Sequence, residues 1–237
     1  MPADLRLLPA LRDWWHEERQ RAGILRTLRR SATIVWEFVR DSMPDRRRQR
    51  YGDIDYDWEY RVNTTAAAVS WRTRLLGLLH SAYQPVEPEL FRKMMAELDI
   101  DFSQFNFVDI GSGKGRALLL AAEYPFQRII GVELLPELHR VAEENVRRIN
   151  VRRGGRIETR CEDATEFEFP AVPLVVYLFH PLPEAGFHRL MDKLRSSLQE
   201  HPRPVRLTYV NPIFEGLVGR SGLHKVAGSH QYALFRE

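Results

Sequence analysis

The sequence predicts an α/β fold in which seven strands form a doubly wound, mostly parallel sheet with helices on both faces. Two observations lead to this prediction. From Pro88 onwards, short apolar segments typical of buried strands alternate with longer segments whose apolar residues recur every three or four positions. The first strand-like segment also runs directly into a glycine-rich turn and then into a helical pattern, over residues 107–124.

Each element of this domain follows from its local pattern. Apolar residues at helical spacing predict helices over 88–98, 115–124, 136–150 and 184–199. Apolar runs bounded by turn residues predict strands over 105–110, 128–133, 156–160, 173–179 and 204–210. The last two apolar runs, 224–226 and 232–235, flank Gly228 and Ser229, which predicts a closing hairpin or a reversed last strand.

The N-terminal part of the chain has a different pattern. We predict a helical, Arg-rich extension over residues 1–80 and the α/β domain over 81–237. Apolar residues recur at helical spacing over 4–41, where Gly23 could divide one helix into two. A further helix is predicted over 66–80, with Asn63–Thr65 as its cap.

The extension is also the basic part of the chain. Residues 1–50 contain twelve Arg and seven Asp or Glu, which leaves 23 of the 35 Lys and Arg and 25 of the 32 Asp and Glu for residues 51–237. A basic arm could contact nucleic acid, anionic lipid or an acidic partner, but the interleaved acids favour a solvated helical face. Trp14, Trp15 and Trp36 could insert at a membrane interface, although packing on the α/β domain is the favoured interpretation.

Composition excludes several classes of protein. A chain of 237 residues with 44% apolar content can bury one sizeable core plus an appendage. No apolar run approaches the length of a membrane span, and no signal-peptide pattern is seen, so we expect a cytoplasmic protein. Cys161 is the single cysteine, which rules out an internal disulfide, and the scattered histidines have no metal-ligand spacing, so no metal is expected.

The most informative segment is Phe107–Arg116, followed some twenty residues later by Gly131–Glu133. A buried strand, a glycine turn, a helix and a second strand ending in an acid predict a site for an adenosine-containing cofactor. A dinucleotide fingerprint would place its third glycine where this chain has Arg116, whereas here Gly115 comes one position earlier. This spacing favours S-adenosylmethionine (SAM), whose methionine tail carries an ammonium and a carboxylate in place of phosphates.

At these residues the chain resembles the class I, seven-strand SAM-dependent methyltransferases. The motifs that carry the resemblance are VDIGSGKG (108–115), GVE (131–133), CEDA (161–164) and VVYLFHP (175–181). The resemblance spans roughly residues 80–237 and is greatest to uncharacterised bacterial methyltransferase-domain proteins, which share VDIGSGKGRALLLAA and a Tyr-Gln-Pro before the first strand. It implies the fold and SAM as the methyl donor, with S-adenosylhomocysteine (SAH) as product and no metal. It does not imply an acceptor.

The predicted cofactor residues lie at the carboxyl ends of strands. Asp109 is placed to balance the ammonium of SAM, and Glu133 to accept the ribose hydroxyls. The resemblance adds the other contacts, which are Gly111, Ser112, Gly113 and Gly115 in the loop, Leu134, Asp163 and Ala164 beside the adenine, Phe179 beside the methyl group, and Tyr83 and Gln84 over the methionine end. Alternatives remain open: Asp109 could only hold the turn through loop amides, Asp163 could cap a helix, and Leu134 could be a core residue. Lys114 is expected to point to solvent.

His180 is the candidate catalytic residue. Members of the family often have Asn or Asp before the proline at this place, so histidine is a departure that weakens an expectation of N-methylation. It could act as a general base near neutral pH, or it could simply bond a loop carbonyl. Asn211 and Pro212, with Tyr209, could line the acceptor pocket, and a turn-forming Asn-Pro is the alternative.

These observations predict a methyltransferase that acts on a protein lysine or a small molecule. A non-catalytic SAM-binding module and an NAD-dependent enzyme are the alternatives. Nucleic acid is disfavoured as acceptor because residues 51–237 are slightly acidic and lack the Asn-Pro-Pro-Tyr signature of base-modifying enzymes. The sequence predicts no membrane span and leaves the oligomeric state open.

Overall fold

The structure is a computed structural model that describes residues 7–42, 56–58, 61–65, 84–153, 157–179 and 182–237. Its residues group into two compact units, Met1–Gln84 and Pro85–Glu237. The predicted helix over 66–80 and the predicted site residues Tyr83 and His180 lie outside the described residues.

The first unit contains a helical hairpin. Helix α1 (Leu7–Ala22) and helix α2 (Ile24–Ser42) are divided at Gly23, as the sequence allowed. Gly23 has φ 77°, in the left-handed region that favours glycine, and its amide donates to Arg19 O (3.1 Å) at the end of α1. An ion pair between Arg30 Nη1 and Glu18 Oε1 (2.8 Å) joins the two helices.

Large apolar side chains of α2 are exposed in this unit. Trp36 of α2 is 60% exposed, and Leu25 is 75% exposed. The described part of the chain contains no helix that is both long and apolar enough for a membrane span.

Thr64 and Thr65, predicted as part of a helix cap, donate their backbone amides to the buried Asp57 carboxylate at 2.7 and 2.9 Å.

The second unit is a seven-stranded sheet with the order β3-β2-β1-β4-β5-β7-β6. Its strands are β1 (Asn106–Ile110), β2 (Ile129–Glu133), β3 (Ile157–Cys161), β4 (Leu174–Phe179), β5 (Val205–Val210), β6 (His224–Gly228) and β7 (Tyr232–Arg236). Its helices are α3 (Pro88–Glu97), α4 (Arg116–Ala121), α5 (Pro136–Arg153), α6 (Glu184–Glu200) and α7 (Glu215–Val218).

The fold prediction is confirmed. Strands β1 to β5 run parallel, and β7 runs antiparallel to both β5 and β6. Both expectations for the end of the chain therefore hold, because β6 and β7 form a hairpin and β7 is the reversed strand inserted beside β5.

Helices cover both faces of the sheet, as β1 shows. Successive side chains of a strand point to opposite faces. Val108 belongs to an apolar core with Phe187 and Leu190 of α6. Phe107 lies on the other face, where its ring centroid is 5.9 Å from that of Phe91 in α3. Asp109 is two residues after Phe107, so its side chain lies on the same α3 face. It is the one carboxylate that β1 contributes.

The strand order reverses beside β1, which lies between β2 and β4. Ligands of open parallel sheets bind outside the carboxyl ends of the strands at such a switch point. The carboxyl ends of β1, β2 and β4 are therefore where a site is expected.

Candidate functional site

The loop after β1 depends on three glycines with left-handed backbone. Gly111, Gly113 and Gly115 have φ of 80°, 55° and 85°, values that side chains with a Cβ adopt at a cost. The amides of Gly111 and Ser112 both donate to Val132 O, at 2.8 and 2.9 Å. These bonds hold the start of the loop against the end of β2.

Glu133 holds the rest of this loop in place. Its Oε2 accepts from Gly113 N and its Oε1 accepts from Leu135 N, both at 2.8 Å. Burial raises the pKa of the Glu133 carboxyl, although these amide hydrogen bonds act in the opposite direction. Each carboxylate oxygen can accept two hydrogen bonds. The carboxylate thus preforms the loop and retains acceptor capacity for a ligand with two adjacent hydroxyls.

Asp109 is a buried carboxylate, 3% exposed. Burial first, and the negative charge of Glu133 second, raise the pKa of the Asp109 carboxyl well above its usual range. In the loop, the amides of Gly111 and Ser112 donate to Val132 O, and the amide of Gly113 donates to Glu133. Two neighbouring buried carboxylates favour a cationic ligand, because a cation offsets both charges.

Gly131 allows the loop and α4 to approach β2 closely. A Cβ at this position would lie 2.5 Å from Leu118 Cδ1 and 2.9 Å from Ser112 Oγ. Ser112 is itself buried, and its hydroxyl has no hydrogen-bond partner among the described residues. Sequence reasoning marked Gly131 only as part of a motif, since its steric role depends on neighbours that are distant along the chain.

The expectation that Lys114 points to solvent is wrong. Lys114 is 1% exposed, and the following Arg116 is 2% exposed. Asn145 Nδ2 of α5 donates to Lys114 O (3.0 Å), and Ala142 of the same helix packs against Gly115, where an added Cβ would lie 3.4 Å from Ala142 Cβ. The loop is therefore covered by α5, which local sequence does not reveal.

The adenine side of the predicted site lies at the end of β3. Asp163 Oδ1 accepts from both the amide and the hydroxyl of Thr165, each at 2.8 Å, so Asp163 caps the turn that follows β3. Ala164 is buried in the apolar core, and Leu134 is half-buried. Glu162 N donates to Glu133 O (3.1 Å), which joins the ends of β2 and β3.

The acceptor side lies beyond β4 and β5. Phe179, the last residue of β4, is half-buried, and Asn211 is exposed at the end of β5 with φ 49°. Tyr209 is fully buried and stacks on Phe187 of the α6 face (ring centroids 5.2 Å apart), so it is a core residue and not part of the rim. Gln84, from the predicted entry loop, is exposed.

The structure thus brings together Asp109, the glycine loop and Glu133 at one edge of the sheet, with the ends of β3 and β4 on either side. Within the described ranges, no group of three or more His, Cys, Asp or Glu side chains could hold a metal ion. Residues 107–201 match the family model described as methyltransferase domain. The chain therefore contains a methyltransferase domain.

Several solved structures are similar to the chain at low sequence identity. An RNA methyltransferase from Salinibacter ruber in complex with SAH is 23% identical (65% of this chain, 92% of that chain, TM-score 0.46). A SAM-dependent O-methyltransferase from Thermotoga maritima is 18% identical (65% and 66%, TM-score 0.47). A SAM-dependent methyltransferase from Aquifex aeolicus is 12% identical (64% and 99%, TM-score 0.46). No curated protein matches the sequence. Values this low carry no argument about the acceptor.

Proposed function

We propose that the methyltransferase binds SAM across the carboxyl ends of β1, β2 and β3, and transfers its methyl group to a protein lysine or a small molecule beyond the end of β4. The observation that carries this proposal is the pairing of two buried carboxylates, Asp109 and Glu133, on either side of a loop that Glu133 already holds in place. When bound, SAM supplies a methyl group that its sulfonium sulfur has already activated.

Asp109 would bind the ammonium of the methionine end. A cation beside it stabilises the ionised carboxylate, so binding is expected to lower the raised pKa of Asp109 and to release a proton. Charge therefore favours an orientation in which the amino-acid end of the ligand lies at Asp109 and the ribose lies at Glu133.

Glu133 would accept the two ribose hydroxyls. Its hydrogen bonds to the amides of Gly113 and Leu135 fix the orientation of the carboxylate before any ligand binds. A fixed acceptor loses little conformational entropy on binding, which is the advantage of a preorganised site. Asp163, Ala164 and Leu134 would complete the adenosine site at the end of β3.

Phe179 and His180 would face the acceptor, with Asn211 on the rim of the neighbouring strand. Transfer requires the nucleophile, the methyl carbon and the sulfur to lie in line, and such positioning can lower a barrier by about 7–11 kcal/mol at best. An amine or hydroxyl nucleophile must also lose a proton, and His180 is the proposed base for this step.

The proposed acceptor is a protein lysine or a small molecule, and not nucleic acid. Residues 51–237 contain 23 of the 35 basic and 25 of the 32 acidic side chains, so the part of the chain that includes the domain lacks a basic excess. Nucleic-acid binding depends largely on cationic contacts to phosphate. The same proposal includes a cytoplasmic location.

Cofactor binding can be tested by calorimetric titration with SAH. We expect saturable binding to the wild type and its loss in Glu133→Ala. Glu158→Ala is the matched control, because Glu158 lies on the adjacent strand β3 and pairs with Arg128 and Arg160 at the surface. Equal loss in both variants, or no binding to the wild type, would contradict the proposed site.

The acceptor can be located with tritiated SAM in a cell lysate. Label that protease releases indicates a protein acceptor, and label that passes an ultrafiltration membrane indicates a small molecule. Label that only nuclease releases would refute the proposed acceptor class. The Glu133→Ala variant provides the background.

A further inference from the structure

A buried polar row crosses the sheet on the α3 face and consists of Asp109 in β1, Tyr177 in β4 and Thr208 in β5. Asp109 is the register partner of Tyr177, and Tyr177 is the register partner of Thr208. Side chains at matching positions of adjacent parallel strands lie on the same face, with the strands about 4.7–4.9 Å apart. Tyr177 is 1% exposed and Thr208 is 0% exposed.

The ring of Tyr177 is fixed, but its hydroxyl has no partner among the described residues. The ring centroid lies 5.6 Å from that of Phe91 and 5.9 Å from that of Phe107, so aromatic packing explains the ring. Phenylalanine would pack equally well there. Buried hydroxyls are nearly always hydrogen-bonded, yet among the described residues neither Tyr177 Oη nor Thr208 Oγ1 has a partner. The hydroxyl of Tyr177 is therefore a candidate to hydrogen-bond a ligand.

We propose that the Tyr177 hydroxyl binds, together with Asp109, the ammonium group at the amino-acid end of SAM. This inference rests on the proposed function, in which Asp109 binds that group. An ammonium has three N–H donors, and one carboxylate cannot accept all three along good directions. The oxygen of Tyr177, on the register partner of Asp109 in the neighbouring strand, would supply a further acceptor.

The electrostatics of the row agree with a cationic ligand. Burial first, and the charge of Asp109 second, raise the pKa of the Tyr177 hydroxyl well above its usual range. The hydroxyl is therefore neutral at physiological pH, so it offers a lone pair without adding a third negative charge beside Asp109 and Glu133. An anionic ligand group at this place would meet two carboxylates and no cation on the row.

Two ligands distinguish binding of the ammonium group by Tyr177 from a purely structural role of its hydroxyl. SAH carries the amino-acid end, and methylthioadenosine has the same adenosine without it. We expect Tyr177→Phe to weaken SAH binding about tenfold, the size of one hydrogen bond to a charged group, and to leave methylthioadenosine binding within about twofold. Tyr209→Phe is the matched control on the next strand, since Tyr209 lies on the opposite face, and neither ligand should respond to it.

The outcomes distinguish this inference from the proposed function. Unchanged SAH affinity in Tyr177→Phe, while Asp109→Asn weakens it, would overturn the inference alone. Equal weakening of SAH and methylthioadenosine would also overturn it, because that pattern indicates a general distortion of the site. Failure of SAH to bind the wild type would overturn the proposed function, and the inference with it.

Discussion

Replacing Gly131 with alanine tests whether the close approach of β2 to the glycine loop holds the site together. The added methyl group would lie 2.5 Å from Leu118 Cδ1 and 2.9 Å from Ser112 Oγ, well inside van der Waals contact. Leu118 is 0% exposed and Ser112 is 5% exposed, so neither side chain can move into solvent. Overpacking of this kind costs about 1–3 kcal/mol of unfolding free energy.

Thermal unfolding and SAH titration measure the two consequences. For a domain of this size, 1 kcal/mol corresponds to a fall in Tm of about 2–4 °C, so we expect a fall of roughly 2–12 °C. SAH affinity should also fall, because Ser112 and Gly113 lie in the loop that is proposed to bind the methionine end. Gly216→Ala is the control, since a Cβ there would meet nothing within 4 Å.

A second substitution sharpens this test. Leu118→Val removes the Cδ atom that the new methyl group would meet, so the double variant Gly131→Ala, Leu118→Val should lose less stability than the sum of the single losses. Coupling energies between contacting residues are about 0.5–3 kcal/mol. A Gly131→Ala protein with the Tm and SAH affinity of the wild type, or strict additivity in the double variant, would refute the steric reasoning.

The remaining predictions concern the two buried carboxylates. The raised pKa of Asp109 means that its contribution to stability is full at low pH and is lost as pH rises. Asp109→Asn should therefore have a higher Tm than the wild type without ligand, by an amount that grows as pH rises above the usual pKa of an aspartate side chain, while SAH binding is weakened; a Tm difference that shrinks as pH rises would contradict this. SAH binding to the wild type should release protons, measured as a dependence of the calorimetric heat on the ionisation enthalpy of the buffer, and Asp109→Asn should remove that dependence. Glu133→Gln should weaken methylthioadenosine as well as SAH, because Glu133 serves the ribose that both share, and an unaffected methylthioadenosine affinity would contradict this role.

The sequence predicted the strands and the four longer helices of the second unit to within a few residues, because alternation and helical spacing are local properties. The short helix α7 was not predicted. Where predicted and observed element ends differ, the cause is also local. The predicted helix 115–124 begins one residue later because Gly115 has φ 85°, and ends at Ala121. Residues 122–124 form a turn before Pro125, since a proline disfavours helical backbone at the residue before it.

Features that depend on distant contacts could not be predicted in this way. Lys114 lies in a glycine-rich turn, which normally indicates exposure to solvent. It is buried, and its backbone carbonyl accepts from Asn145 of α5, a helix that begins more than twenty residues later. The Tyr177 hydroxyl had a weak signal, as the one polar group in the run Leu174–Phe179, but its relation to Asp109 requires the register between β4 and β1.

The two buried carboxylates of the described strands lie where the cofactor site is proposed. Asp109 and Glu133 are at the carboxyl ends of neighbouring strands, and Tyr177, whose hydroxyl has no partner among the described residues, is the register partner of Asp109 on the other side. Burying an unpaired polar group costs about 1–3 kcal/mol, and more when the group is charged. Apolar residues at these positions would avoid that cost, so folding alone does not account for them. A ligand with a cationic group and two hydroxyls would offset the charge of the carboxylates and fill their acceptor capacity, and so return part of that free energy as binding.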